Sequence, residues 1–129
     1  MPYSKIEILK GHSKEYKATL FRSVHDGLVN AISMTENNCT QRIYELDEEH
    51  YERPPGKTEK YTLIELALLP GRSVALKKNL ITEIIRLLGE RLEIAPADII
   101  IIINDHPLEN WGFRGTHAIE MDLNYKKDV

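Results

Sequence analysis

The chain has 129 residues, 42% of them hydrophobic and 29% charged, with a formal net charge of -3. That length suits one domain with a real core, and the slight acidic excess gives no electrostatic reason to expect nucleic acid or an anionic membrane as a partner. The single cysteine excludes an internal disulfide, no apolar run reaches the ~20 residues that span a bilayer, and the N-terminus lacks a signal-peptide pattern, so a cytoplasmic location is expected.

In chain order, Tyr3–Leu9 alternates, with Ile6 and Ile8 on one face, and predicts a first strand. Lys10-Gly11-His12 is a turn and Ser13 an N-cap. Tyr16, Leu20, Val24, Leu28 and Ile32 then recur every four residues, and Ala18, Phe21 and Ala31 are read as broadening the stripe. This predicts a helix of about five turns. Gly27 inside it costs roughly 1 kcal/mol of helical propensity relative to Ala, which so regular a stripe absorbs. Thr35–Asn38 is a turn cluster and Cys39–Leu46 a second strand.

Residues 47–60 are polar and carry Pro54-Pro55-Gly56, so they read as an exposed loop or hairpin. The acidic cluster Asp47, Glu48 and Glu49 is read as solvated charge rather than a metal site. Tyr61–Leu69 predicts a third strand, followed by the turn Pro70-Gly71 and an N-cap at Ser73. Leu76, Leu80, Ile84, Leu87 and Leu88 fall at helical spacing while Lys77, Lys78, Glu83 and Arg86 point away. Asp98–Ile103 is the last strand, apolar at every position from Ile99, which implies burial on both faces.

The two halves, about 2–46 and 61–103, are therefore copies of one β-α-β unit in a single domain, joined by the loop 47–60 and followed by a C-terminal segment 104–129. Each helix should cross over right-handedly between parallel strands. The expected fold class is α+β, a four-stranded mixed sheet with both helices on one face. The other face then exposes one alternate apolar set of the third strand, Ile64, Leu66 and Leu68 or Leu63, Ala67 and Leu69, which predicts cover by further copies of the chain.

Common catalytic motifs are absent: no phosphate-binding Gly-rich loop, no CxxC, no HExxH and no G-x-S-x-G elbow. The histidines show no i, i+4 pair for a metal, and Cys39 reads as small apolar filling. What remains is Pro2 behind Met1, Arg72 at a strand-helix junction, and the compact run Trp111-Gly-Phe-Arg-Gly115. Removal of Met1 would leave Pro2 a free secondary amine. An α-amino group has an unperturbed pKa of ~7.7 to 8.0, lowered by apolar surroundings or a nearby cation, and so can serve as a general base. With Met1 retained, the nitrogen is an amide and has no basicity.

The order and spacing of Met1-Pro2, Gly71-Arg72-Ser73 and Trp111–Gly115 on a duplicated β-α-β chain resembles the tautomerase superfamily, and within it the branch like malonate semialdehyde decarboxylase. The resemblance runs from Pro2 to about Leu123. It implies a homotrimer with active sites at subunit edges around Pro2, a small carboxylate substrate and no cofactor or metal. It implies Pro2 as the catalytic amine, Arg72 as the carboxylate anchor through its bidentate fork, and Trp111 and Phe113 as aromatic walls that keep the pocket dry. Two positions depart from the branch. Asn38 stands where the branch has a loop acid, and Pro70-Gly71-Arg72 keeps one of two junction arginines. Asn38 cannot ionise but can hold a carbonyl oxygen by hydrogen bonding. These departures favour enol-keto proton transfer on a 2-oxo or enol acid over decarboxylation of a 3-oxo acid. A non-catalytic trimeric binding protein of the same fold is the third reading.

Overall fold

The computed structural model describes residues 2–35 and 39–123. Its main elements are β1 (Tyr3–Leu9), α1 (Lys14–Ile32), β2 (Thr40–Leu46), β3 (Thr62–Leu68), α2 (Val74–Leu92) and β4 (Ile99–Asp105), followed by two short strands, β5 (Gly112–Phe113) and β6 (Thr116–His117). Both helices start at the predicted caps. Ser13 Oγ accepts from the Tyr16 N–H at 3.0 Å and Ser73 Oγ from the Leu76 N–H at 3.1 Å, each satisfying a donor with no partner inside the helix. Both end at a left-handed residue, Ser33 and Glu93, whose N–H turns back to the last-turn carbonyls.

The sheet order is β2-β1-β3-β4, with β1/β2 and β3/β4 parallel and β1/β3 antiparallel. The duplicated β-α-β expectation therefore holds, the copies meeting along their first strands. The register aligns Ile43, Ile6, Ile64 and Ile101 in one row beneath the helices. Ile64, Leu66 and Leu68 are the set of β3 turned to the helices, each 0% exposed, which leaves Leu63, Glu65 and Ala67 on the other face. The predicted stripes of α1 and α2 close over them, with Leu20, Val24, Leu28, Leu76, Leu80, Ile84, Leu87 and Leu88 all buried.

One expectation needs correction. Ala18 is exposed and does not broaden the α1 stripe, because two residues before Leu20 is roughly 200° round the helix; Ser23 and Gly27 lie on the buried side instead. Residues 47–60 form a loop, one of the two forms expected of them. They carry a short 3-10 turn at Glu48–His50, and their prolines lack the N–H that a ladder requires. The end of this loop is tied down, with the Thr58 N–H and Oγ1 donating to the buried Asp98 carboxylate at 3.0 and 2.5 Å and Lys60 Nζ donating to the Leu92 carbonyl at 2.9 Å.

Within the single chain β4 is covered on one side only. Ile100 and Ile102 are 40% and 41% exposed because both helices cover the opposite face. The uncovered face also carries Tyr3, Lys5, Glu7, Arg42, Tyr44 and Glu65. Among the described residues no helix is long and apolar enough to cross a membrane.

Candidate active site

Strand register determines what surrounds Pro2. Tyr3 pairs with Thr40 on one side and Ala67 on the other, and Leu68 pairs with Asp105. One residue further along, Pro2 falls in the row Cys39, Pro2, Leu68, Asp105, on the face turned to the helices. The Thr40 N–H donates to the Pro2 carbonyl at 3.3 Å, and the His106 N–H to the Leu68 carbonyl at 3.4 Å, which closes the row. Pro2 is buried and Leu68 is fully so. Cys39 is half-buried against the core, and burial pushes its thiol up to about 11, so it stays protonated at neutral pH and serves as filling. A free amine in this row would have apolar neighbours, which disfavour its charged form.

Arg72 comes to the same end because β3 runs past Pro2 before turning. Gly71 makes that turn at φ 100°, a conformation that residues with a Cβ rarely adopt. Arg72 is only 8% exposed, and its Nη1 donates to the Leu69 carbonyl at 2.9 Å, so the guanidinium is folded against its own loop. The N-terminus of α2 starts beside it and adds positive potential. Lys77, in the first turn of α2, pairs with Asp105 at the end of β4 and fastens the helix start to the sheet.

Beyond β4 the chain turns through Pro107 and a 3-10 turn at Leu108–Asn110 to Trp111. Trp111 Nε1 donates to the His106 carbonyl at 3.1 Å, and its ring meets His106 and Phe113 edge-on at 6.0 and 6.2 Å. Phe113 is held by the β5/β6 hairpin, whose two-residue loop, Arg114 and Gly115, has φ of 55° and 75°. The register thus brings Pro2 and the Arg72 junction to one end of the sheet, and His106 ties Trp111 and Phe113 to that end. Asn38 lies outside the described residues. Sequence reading missed the hairpin, although Gly115 at the second loop position was a signal for it, and missed the Lys77–Asp105 pair, whose partners are remote in sequence. At the far end of the sheet, ligand atoms of Asp47, Glu49 and His50 lie within 4.8 Å of one another, all exposed, and Lys10 pairs with Asp47 at 3.3 Å.

Two β-α-β copies sharing one four-stranded sheet, with both helices on one face, are the architecture of the tautomerase class of protein. The comparisons agree. A family model described as "Tautomerase enzyme" matches residues 38–114, more than half of the chain. "Probable tautomerase YusQ" of Bacillus subtilis (strain 168) is 23% identical over 123 residues, covering 92% of this chain and 97% of that protein. The 2-hydroxymuconate tautomerase of Comamonas testosteroni is 37% identical over 57 residues, covering 44% of this chain and 90% of its own. Among solved structures, a fused 4-OT described as an asymmetric trimer superposes with a TM-score of 0.82 at 24% identity, covering 91% of this chain and 96% of that one. Malonate semialdehyde decarboxylase superposes at 0.81 and 17% identity, covering 90% and 93%. The chain belongs to the tautomerase family.

Proposed function

We propose that the protein catalyses proton transfer between oxygen and carbon of a small 2-oxo or enol carboxylic acid, with Pro2 as the base once Met1 is removed. The observation that carries this reading is the buried row in which Pro2 lies between Cys39 and fully buried Leu68, at the sheet end where Arg72 leaves β3. The neutral Pro2 nitrogen takes the enol hydroxyl proton and returns a proton to the carbon, leaving the ketone. Arg72 swings from the Leu69 carbonyl to hold the carboxylate, Asn38 donates an amide N–H to the developing oxyanion, and Trp111 and Phe113 exclude water. The substrate named for the Comamonas testosteroni relative, 2-hydroxymuconate, is an enol acid of this kind.

Steady-state kinetics on 2-hydroxymuconate test the assignment. Arg72→Ala should raise KM about 10- to 100-fold with a much smaller change in kcat, because it removes a charge-assisted contact made in both ground and transition states. An unchanged KM would remove Arg72 from the substrate site. Decarboxylation of a 3-oxo acid is the runner-up, favoured by the superposition on malonate semialdehyde decarboxylase and disfavoured by Asn38, which cannot ionise. Release of carbon dioxide from malonate semialdehyde, lost on replacing Pro2, would promote it. Turnover of neither acid by protein shown by mass to lack Met1 would instead favour a binding protein of the same fold.

The assembly proposed is a homotrimer, supported by the trimeric relative and by Ile100 and Ile102 on the uncovered sheet face. Replacing both isoleucines by lysine places two charges where a neighbouring copy would pack. Sedimentation velocity should then show a shift from trimer to monomer. A variant that remains fully trimeric would place the interface elsewhere.

A further inference from the structure

The β5/β6 hairpin carries at its tip an arginine that the proposed chemistry leaves unused. Arg114 and Gly115 form its two-residue loop with φ of 55° and 75°, the left-handed pair that a type I′ turn requires. Asparagine followed by glycine is what such a turn favours, so backbone preference does not account for Arg114. Its contacts place it on the aromatic wall. The guanidinium carbon lies 5.6 Å from the Phe113 ring centroid, Phe113 meets Trp111 at 6.2 Å, and Trp111 Nε1 donates to the His106 carbonyl at 3.1 Å. The His106 N–H in turn donates to the carbonyl of Leu68, which lies beside Pro2 in its row. The other two cations placed at this end are engaged: Lys77 pairs with Asp105, and Arg72 Nη1 donates to the Leu69 carbonyl. The Lys77–Asp105 pair is also matched by Lys17–Glu45 at the equivalent positions of the first copy, so it belongs to the scaffold that both copies share. Arg114 makes no ion pair among the described residues, and its charge rests only on the Phe113 ring.

We infer that Arg114 holds the second carboxylate of a dicarboxylate substrate. The inference rests on the reading of the Pro2 and Arg72 end as the site of reaction. Arg72 anchors the carboxylate next to the reacting carbon, and Arg114 takes the one at the opposite end of the acid, with Phe113 and Trp111 linking it to the sheet. A guanidinium is always charged, and its fork matches both oxygens of one carboxylate. The ring against it and the two-residue turn behind it restrict the side chain, so less freedom is lost on binding than for an unsupported arginine. An acid of the same length without the second carboxylate forgoes this contact. Arg114 therefore sets selectivity and takes no part in proton transfer.

Full-length protein shown by mass to lack Met1 should be titrated with adipate, and separately with hexanoate, at constant ionic strength. The two acids share a carbon chain and differ by one carboxylate. Trp111, the only tryptophan of the chain, reports each dissociation constant through its fluorescence. Adipate should bind about tenfold or more tightly than hexanoate. Arg114→Asn supplies the pair that the turn favours, so it should leave Tm unchanged or raise it while bringing the two acids to within about twofold of each other. Arg114→Met, which keeps an apolar stem on Phe113, should lose the preference equally. Arg114→Lys, with the charge but not the fork, should keep part of it. On 2-hydroxymuconate, Arg114→Asn should raise KM about tenfold with a much smaller change in kcat. The inference is overturned by failure of adipate to saturate, by equal affinity for the two acids in the parent protein, or by a preference that survives both Arg114→Asn and Arg114→Met. An adipate preference carried by Arg114 in protein that turns over no enol acid would remove the catalytic reading alone. Turnover of 2-hydroxymuconate untouched by Arg114→Asn would remove this inference alone.

Discussion

Replacing Pro2 by alanine is expected to lower kcat on an enol acid by about 10² to 10⁴-fold, the range for loss of a positioned general base, with a much smaller effect on KM. Alanine leaves an amine at the chain end, so the loss tests positioning as well as the presence of a base. The pyrrolidine ring fixes the nitrogen relative to a backbone that the Thr40 N–H grips at the Pro2 carbonyl, and it fills the row beside Leu68. Alanine fills less of that row and lets the amine rotate and hydrate. Protein that retains Met1 should be equally inactive, because its Pro2 nitrogen is an amide. Intact mass and steady-state kinetics on the same preparations check both statements. Full activity in the alanine variant, or in protein of unprocessed mass, would end the assignment of Pro2 as base.

Gly27→Val is expected to destabilise the fold by about 3 kcal/mol, at the upper end of ordinary overpacking, lowering Tm by roughly 10 °C for a chain of this size. A Cβ at position 27 would lie 2.7 Å from Ile84 Cγ1 and 3.7 Å from the Ile84 Cα. Ile84 is 0% exposed and branched at Cβ, so that atom cannot swing away as the tip of a flexible side chain could. Gly27→Ala sets a gain of about 1 kcal/mol in helical propensity against the same contact, and the contact should win, giving a smaller loss. Thermal unfolding followed by circular dichroism gives both values. A Gly27→Ala variant more stable than the parent would show that α1 and α2 tolerate wider spacing.

Glycine 27 also shows where reading the chain alone stops. From sequence it is a propensity cost carried by a regular stripe. In the fold its missing side chain is what lets the two helices meet closely. The β3 strand is a second case: Ile64, Leu66 and Leu68 and the alternate set Leu63, Ala67 and Leu69 are both apolar, and period-two alternation cannot choose between them. Packing of both helices on one face chose the first set and left Leu63 and Ala67 on the other face. The same one-sided cover leaves Ile100 and Ile102 partly exposed in the single chain, despite the apolar run of β4.

Of the candidate site, Pro2, Arg72, Trp111 and Phe113 were legible as short motifs in a set order, and their roles are the proposals tested above. What surrounds them was not. The row of Cys39, Pro2, Leu68 and Asp105 and the Lys77–Asp105 pair join residues far apart in the chain, and the perch of Trp111 on His106 depends on the turn between them. The sequence by itself determined the helix starts at Ser13 and Ser73, the buried stripes and the duplicated order of strands and helices, because capping and periodicity act over one or two turns of a single element. Only the tertiary structure decided which residues share a row, which face is covered and how near the helices come. Those depend on backbone hydrogen bonds and van der Waals contacts between segments that share no local pattern.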